Sequence, residues 1–289
     1  MSSDPLSGDE AVSCVLCPAS TTRRVIEKHG YPVVRCRGCG LVFAARRPAA
    51  DRISALYADP SYFRGRRYYL DYLGSEAGHR RLARELLGAL TRHGAEGRLL
   101  DVGCAAGFLL DEARSAGFRA AGVELSPRLA AVARGRGFEV REGELAAAGF
   151  EPACFDAIVL ADSLEHVIDP VATLVEARRV AAAGALILIL TPNVESRLAR
   201  LLGRRWPHYT PPEHLWYFAP STLERVLGEA GFSVLEQSSS AHWFRLGELV
   251  AKALPERARG RWLPRALPFE LRLNVGDLLV IGRARRPLV

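Results

Sequence analysis

Short apolar runs alternate with amphipathic stretches through the middle of the chain. Five of the runs have the length and aliphatic content of strands: Arg98–Val102, Arg119–Glu124, Glu139–Glu142, Phe155–Leu160 and Gly184–Leu190. The stretches between them predict helices over Leu109–Ala116, Pro127–Gly135 and Pro170–Val180. Strands that alternate with helices at this spacing indicate βαβ units and a mainly parallel sheet.

The pattern changes after residue 192. A Pro-, His- and aromatic-rich stretch, 193–220, precedes a predicted helix over Ser221–Ala230, with Ser221 as its N-cap and Glu224 at N3. Phe232–Gln237 and Asp277–Arg283 then predict a closing pair of strands, with a helix over Trp243–Leu254 between them. The expected fold is therefore an α/β, Rossmann-like, seven-stranded doubly wound sheet.

Four segments follow from this reading. We expect a disordered N-terminus at 1–12, a zinc-binding module at 13–45, a helical lid or linker at 46–95 and a catalytic domain at 96–289, in which 193–220 shapes the substrate pocket. Within the module, Tyr31–Arg35 and Leu41–Phe43 predict short strands, and a helix is expected from about Ser75 to Arg92. No internal repeat interrupts this order.

The zinc-binding module is predicted from cysteine spacing. Two Cys-x2-Cys turns, separated by eighteen residues, supply Cys14, Cys17, Cys36 and Cys39. Such turns present two thiolates each, and a connection of this length lets them face one another around a tetrahedral Zn²⁺. Four thiolates leave no open coordination position, so the predicted role is structural.

Composition narrows the possible partners. The 289 residues are 49% hydrophobic and 25% charged, with a net charge of +7. Most of the basic residues are dispersed arginines, which favours a small-molecule partner over nucleic acid, although RNA or DNA binding stays open as an alternative. The chain has no apolar run long enough to span a bilayer and no signal-peptide core, so we expect a cytoplasmic protein without a membrane partner. Its oligomeric state is open.

The end of the first central strand carries the strongest chemical signal. Leu-Leu-Asp101-Val is followed by Gly103, Ala105 and Gly107, small residues that let the backbone approach a ligand where a helix begins. The spacing departs from the dinucleotide fingerprint, because Phe108 stands where the third glycine belongs. An acid at the strand end also suits a cationic ligand better than a pyrophosphate.

The following strand ends carry further polar groups. Glu124 is placed to take both hydroxyls of a ribose. Glu144 and Leu145 follow the third strand, where an adenine would lie, and Asp162 follows the fourth. The carboxyl ends of parallel strands meet at one edge, so these residues are expected to share a crevice.

These residues resemble the class I S-adenosylmethionine-dependent methyltransferases over roughly 95–240. The resemblance rests on Leu-Leu-Asp101-Val-Gly-Cys-Ala-Ala-Gly107, Glu124, Phe155-Asp-Ala-Ile-Val, Leu164-Glu-His-Val-Ile-Asp-Pro170 and Thr191-Pro-Asn193. It implies an enzyme that uses S-adenosylmethionine, with Ala105 in place of the usual central glycine. The implied cofactor-binding residues are Asp101, Gly103, Ala105, Gly107, Glu124, Leu125, Glu144, Leu145 and Asp162.

The front of the chain also resembles bacterial methyltransferases with an N-terminal zinc module, among them sugar C-methyltransferases. Cys36-x2-Cys39-Gly-Leu-Val-Phe43, Arg47-Pro48 and Leu56-Tyr57 carry this likeness. The Tyr- and Arg-rich segment 57–72 either closes over an acceptor or forms a solvated amphipathic helix.

His166 and Glu165 are the candidate catalytic residues. The pKa of a histidine lies near neutrality, so His166 is a candidate general base; the alternative is a histidine that caps the following helix. His208, Tyr209 and His214 are second-tier candidates.

A second metal is also possible. On a helix, Asp162, Glu165 and His166 share one face. The resemblance of this stretch to ubiquinone-pathway O-methyltransferases implies a divalent cation there.

Three functions follow from the sequence. The first is methyl transfer to a small molecule such as a sugar, a phenol or another precursor. The second is an RNA methyltransferase that holds its substrate with the zinc module and basic surface. The third is a non-catalytic binding module. Whether oxygen, nitrogen or carbon is methylated stays open.

Overall fold

The computed structural model describes residues 9–18, 20–59, 72–247 and 269–285. Helices and strands in these ranges are numbered in chain order. The strands are β1 (Glu10–Ala11), β2 (Thr22–Lys28), β3 (Tyr31–Cys36), β4 (Val42–Ala44), β5 (Arg46–Arg47), β6 (Arg98–Val102), β7 (Arg119–Glu124), β8 (Glu139–Glu142), β9 (Phe155–Ala161), β10 (Ala181–Pro192), β11 (Trp216–Tyr217), β12 (Phe232–Arg245) and β13 (Glu270–Ala284). The helices are α1 (Ala50–Ala58), α2 (Glu76–Arg92), α3 (Phe108–Ser115), α4 (Pro127–Gly135), α5 (Pro170–Val180), α6 (Arg197–Leu202) and α7 (Pro220–Glu229).

A mixed seven-stranded sheet forms the centre of the molecule, in the order β12-β13-β10-β9-β6-β7-β8. The strands from β10 to β8 pair in parallel, whereas β13 pairs antiparallel with both β10 and β12. The expected Rossmann-like α/β sheet is confirmed. Each closing strand is longer than predicted, and together β12 and β13 form an extended antiparallel ribbon.

Two hydrophobic layers cover the sheet because the central strands bury both of their faces. In β9, Ile158 and Leu160 point to the layer under α5 and α7, while Ala157 and Val159 point to the layer under α2 and α3. Burial on both faces explains why such strands are continuous apolar runs in the sequence. No helix in the described part of the chain combines the length and apolar character needed to cross a bilayer.

The cysteine module packs onto this core. Strands β2, β3 and β4 form a second sheet, and β11 from segment 193–220 adds to its edge by pairing with β4. Phe43 of β4 lies 5.8 Å from the Trp216 ring of β11, measured between ring centroids. Both rings belong to the same buried layer as Ile158, so the module is part of the protein's main core.

Several sequence predictions need correction. Residues 9–12 are ordered, because β1 pairs with β5 and Val12 donates to the Ala45 carbonyl; residues 1–8 lie outside the described residues. Helix α7 begins one residue before Ser221, with Ala219 at the N-cap. Thr222 supplies the cap instead, since its hydroxyl accepts a hydrogen bond from the Ala219 backbone.

The predicted helix at Trp243–Leu254 starts too early, because helical residues appear only at 246–247 of its described part. Residues 243–245 are the end of β12, where Trp243 pairs with Arg272 of β13. The remainder of that prediction, from residue 248, lies outside the described residues, as do residues 60–71 of the Tyr- and Arg-rich segment.

Candidate active site

A cavity of about 350 Å³ lies at the carboxyl ends of the central strands. It surrounds the end of β6, which has β7 on one side and β9 on the other. The strand order reverses at this point of the sheet, and ligands of doubly wound proteins bind at such switch points. The volume lies within the range of small-molecule sites.

The predicted cofactor-binding residues line this cavity, with one exception. The lining includes Asp101, Gly103, Ala105, Glu124, Leu125, Glu144, Leu145 and Asp162. Gly107 is the exception, because it caps α3 with a φ of +79° and faces α4. A Cβ atom there would come within 3.1 Å of Ala133 Cβ, so this glycine lets two helices pack closely and does not line the cavity.

Glu124 ties the turn after β6 to the neighbouring strand. Its Oε2 accepts a hydrogen bond from the Ala105 amide at 2.8 Å, and its Oε1 accepts one from the Ser126 amide at 2.7 Å. Each carboxylate oxygen has two lone pairs, so both retain capacity for a ligand hydroxyl. The backbone of Ala105 is held in a left-handed conformation with a φ of +47°.

Buried acids give this side of the cavity its electrostatic character. Asp101 is only 4% exposed, and burial together with the charge of Glu124 raises the pKa of Asp101 to about 7. Burial also raises the pKa of Glu124. No Lys or Arg stands among the described residues that line the cavity. A cationic ligand would relieve the repulsion between these acids. S-adenosylmethionine carries a positively charged sulfonium and two ribose hydroxyls, which can donate hydrogen bonds to these carboxylates.

The cavity lining is also rich in aromatic rings. Its described rings are Tyr57, Tyr72, His79, Phe108, Trp243 and Phe244. Tyr72 lies 4.4 Å from His79 and 5.7 Å from Phe108, measured between ring centroids. We call the acids at the strand ends the acidic half of the lining, and these rings the aromatic half; Tyr57, Tyr72 and Phe108 of the aromatic half cluster with Ala105 and Ala106 of the turn after β6.

Comparison with known families decides the class of protein. The family described as "Methyltransferase domain" matches residues 75–237, which is more than half of the 289 residues. The chain belongs to the class I S-adenosylmethionine-dependent methyltransferases. The match starts with α2 and ends within β12, so it covers every element that contributes to the acidic half of the cavity.

Curated relatives and solved structures agree with this assignment. A ubiquinone biosynthesis O-methyltransferase of Nitrosospira multiformis is 29% identical over 165 residues, which are 52% of this chain and 69% of the relative. Another from Alkalilimnicola ehrlichii is 33% identical over 153 residues, 47% of this chain and 61% of the relative. The aligned regions therefore span about two thirds of these relatives.

Among solved structures, an S-adenosylmethionine-dependent methyltransferase from Archaeoglobus fulgidus is 20% identical, with a TM-score of 0.52, and the match covers 74% of this chain and all of that one. A chain of the Haloferax volcanii complex between the Trm112 methyltransferase activator and a methyltransferase is 19% identical, with a TM-score of 0.56, covering 74% of this chain and 92% of that one. At these identities, the likeness concerns the fold.

The segment after β9 of the methyltransferase is a turn, and the helix face predicted for it is absent. Asp162 has a φ of +50°, and the His166 amide donates to the Ser163 carbonyl. As a result, Asp162 turns away from Glu165 and His166 and faces His242 instead. The side chains close enough to share a cation are Glu165, His166 and His214, with ligand atoms within 4.8 Å of one another. The predicted set with Asp162 is therefore wrong.

His166 lines the cavity, but its surroundings keep it neutral. Its Nδ1 lies 2.9 Å from the Glu213 carbonyl oxygen and 3.2 Å from the Tyr57 hydroxyl. A carbonyl only accepts, so Nδ1 carries the hydrogen and Nε2 is left as the acceptor. Burial lowers the pKa of His166 to about 4.

Glu165 lies outside the described cavity lining. It is 1% exposed and accepts a hydrogen bond from the Thr191 hydroxyl at 3.0 Å, and burial raises the pKa of its carboxyl. The second-tier candidates His208, Tyr209 and His214 also lie outside this lining. His214 supports the site indirectly, since its ring packs edge-on against His166 at 4.7 Å between centroids.

The four predicted zinc ligands converge. The sulfur atoms of Cys14, Cys17, Cys36 and Cys39 all lie within 4.8 Å of one another. Burial opposes a charged thiolate at Cys36, but hydrogen bonds from Ser20 and the nearby backbone lower its pKa to about 6. A cluster of four thiols, one of which ionises readily, fits a tetrahedral structural Zn²⁺.

Sequence reasoning missed the contributions of α2 and of the β12–β13 ribbon. His79, His242, Trp243 and Phe244 line the cavity although they lie far along the chain from the strand-end motifs. The sequence predicts a helix from Trp243 onward. In a strand, which is what the structure has, alternate residues share a face, and this places His242 and Phe244 on the same side.

Proposed function

We propose that this methyltransferase transfers the methyl group of S-adenosylmethionine to a small-molecule acceptor that occupies the aromatic half of the cavity. The donor occupies the acidic half, held by Asp101 and Glu124 and by the turn at Gly103 and Ala105. The observation that carries the proposal is that one cavity is lined both by these strand-end acids and by aromatic rings.

The lining chemistry supports a planar or neutral acceptor. Aromatic rings bind flat molecules by stacking and exclude water from the reacting groups. Because the described lining offers no Lys or Arg, a phosphate on the acceptor would have only lining histidines to pair with. The names of the curated relatives, ubiquinone biosynthesis O-methyltransferases, further support a hydroxyl group as the methyl acceptor.

The arrangement of the module favours this reading over an RNA methyltransferase. β4 of the module is buried and pairs with β11 as its neighbour in the same sheet, so this part of the module is used in packing. Several arginines are also engaged in ion pairs within the chain: Arg80, Arg114 and Arg136 all contact Asp111. A nucleic-acid surface needs unpaired basic groups to contact phosphates.

Two measurements test the proposal. Calorimetry with S-adenosylmethionine should detect binding to the parent protein and not to the Asp101→Ala variant. Incubation with methyl-labelled donor and three acceptor panels, phenols and catechols, sugar nucleotides, and transfer RNA, should label a member of the first two panels.

The possible outcomes separate the three functions. Labelling of RNA, with binding that weakens steeply between about 50 and 200 mM salt, would establish the RNA alternative. Donor binding without transfer to any panel would favour a binding module. A parent protein that does not bind the donor would refute the proposal outright.

A further inference from the structure

A second histidine lines the cavity, and it comes from the sheet edge. His242 lies near the end of β12, with its Nε2 3.1 Å from Asp277 Oδ2 and 3.8 Å from Asp162 Oδ2. The three side chains belong to β12, β13 and the turn after β9. The ring therefore lines the cavity beside two carboxylates, and its chain neighbours Trp243 and Phe244 line the same cavity.

An irregularity in the β12–β13 ribbon produces this contact. Ser240 pairs with Asp277, whereas His242 pairs with Leu273, so two steps along β12 correspond to four along β13. The extra residues include Gly276, whose φ of +98° and tight contact with Ser196 admit no side chain. Bulges of this kind redirect side chains beside active sites. Here the bulge brings the Asp277 carboxylate to the ring of a residue that is not its direct strand partner.

Asp277 is committed to His242. Its side chain is 1% exposed, neither carboxylate oxygen accepts a hydrogen bond from a described residue, and the His242 ring is its ion-pair partner. A buried carboxylate without a cationic partner is costly, so this one holds the imidazole in place.

The ring itself is strongly basic. The titratable and charged groups near it are Asp162, Glu165, Asp277, His79, Glu85 and Arg245. Burial alone would lower the pKa of His242, but the carboxylates of Asp162 and Asp277 outweigh it and raise the pKa to about 9.

We propose that His242 is a catalytic residue of this methyltransferase, which takes the proton that the acceptor loses while Asp277 fixes the ring. The inference rests on the proposed function, because the acceptor must carry an ionisable hydrogen and lie against the aromatic wall. It adds a proton acceptor that the β12–β13 ribbon delivers from outside the strand-end motifs.

The proton and the methyl group move in the following order. The positively charged donor, bound beside Asp162, offsets that carboxylate, and His242 releases its proton to solvent. The neutral ring, which keeps its hydrogen on Nε2 toward Asp277, then takes the proton of the acceptor group on Nδ1, and the electron pair of that group forms a bond to the methyl carbon. The bond between that carbon and sulfur breaks, its electron pair stays on sulfur, and S-adenosylhomocysteine results. The new charge on the ring is compensated by Asp277.

His242 is better suited to this step than His166. A proton acceptor works best when its pKa lies near the operating pH. With a pKa of about 4, His166 holds a proton weakly. His242 starts from about 9, and the donor's charge shifts this value toward neutrality.

Calorimetry directly measures the coupling between donor binding and proton release from His242. S-adenosylmethionine is titrated near pH 8.5, where Asp101 is already ionised, in buffers of different ionisation enthalpy, which gives the number of protons released on binding. We expect the parent protein to release a fraction of a proton on binding. His242→Gln should lose this release, because it has no imidazole. In Asp277→Asn the release should occur at lower pH. His93→Gln is the matched control, because His93 pairs with Glu236 outside the cavity lining. It should behave as the parent does.

The outcomes distinguish this inference from the proposed function. If the parent does not bind S-adenosylmethionine, the proposed function fails. If it binds but His242→Gln releases as many protons as the parent, only the role of His242 is overturned.

Turnover with the acceptor found above gives the second readout. The kcat of His242→Gln should fall about 100-fold or more, while the affinity for the donor changes little. Added imidazole should restore part of the rate of His242→Ala. A kcat close to that of the parent in both variants would refute the proposal.

Discussion

The indole Nε1 of Trp216 donates a hydrogen bond to the carbonyl oxygen of Val167 at 2.8 Å. Trp216 belongs to β11, at the edge of the cysteine module's sheet, and Val167 lines the cavity. The backbone amides of Leu215 and Trp216 also donate to the Glu165 carbonyl. Because β11 comes from segment 193–220 and is paired with β4, the cysteine module supports the turn after β9 indirectly, through β11.

Replacing Trp216 with Phe should loosen this support. The change leaves the half-buried Val167 carbonyl without its donor, and we expect a loss of about 1 kcal/mol in the free energy of unfolding, measured in urea. Trp243→Phe is the matched control, since its indole donates to Glu85, which also has Arg272 as a partner. Equal losses in the two variants would contradict the special role of the Val167 contact.

Cys36→Ser should remove the metal and destabilise the module. A structural zinc site contributes its binding energy to folding, so the variant should lose zinc by elemental analysis and melt at a lower temperature. Cys154→Ser provides the control, because Cys154 lies outside the cluster. Parent-like zinc content in Cys36→Ser would argue against the four-cysteine site.

Asp101→Asn should stabilise the protein while weakening donor binding. The folded-state pKa of Asp101 is raised from 3.8 to about 7, so its ionisation costs stability, which is lost as pH rises from about 4 to 7. At pH 8 the amide variant avoids this cost and should melt at a higher temperature. Affinity for S-adenosylmethionine should rise with pH through 7 in the parent as the carboxylate ionises. Calorimetry that finds the same rise in the variant would exclude Asp101 as its source.

Ala105→Gly should be tolerated, whereas Ala106→Gly should destabilise the protein. Ala105 adopts a φ of +47°, which costs an alanine about 1 kcal/mol or more and a glycine little. The greater freedom of glycine in the unfolded chain offsets part of the gain, so we expect unchanged or slightly increased stability. Ala106→Gly, at a fully buried residue without a positive φ, should lose stability. Thermal melts of both variants check the difference.

His166→Ala should slow turnover far more than it weakens donor binding, because the ring lines the cavity and contacts Tyr57. Its pKa of about 4 means that it stays neutral from pH 6 to 9. The variant should therefore keep the parent's pH–rate profile in that range, at a lower rate. A profile that loses its inflection only in this variant would restore His166 as the proton acceptor.

Local patterns in the sequence determined most of the fold and the strand-end acids of the cavity. Strands buried on both faces are apolar runs wherever they lie, so β6, β7 and β9 were identifiable from composition alone. The zinc ligands were identifiable from their spacing in the sequence. The acidic strand ends were identifiable as well, because parallel strands bring their carboxyl ends to one edge of the sheet. Asp101 and Glu124 meet for that reason.

Only the tertiary structure decided which residues complete the cavity. Gly107 resembles a ligand-binding glycine in sequence, but the packing of α3 on α4 gives it another role. Asp162 would share a helix face with Glu165 and His166, yet a positive φ at Asp162 breaks that periodicity and turns it toward His242. The pairing of His242 with Asp277 depends on the register of two strands and a bulge between them, and register over such a distance leaves no local signal in the chain.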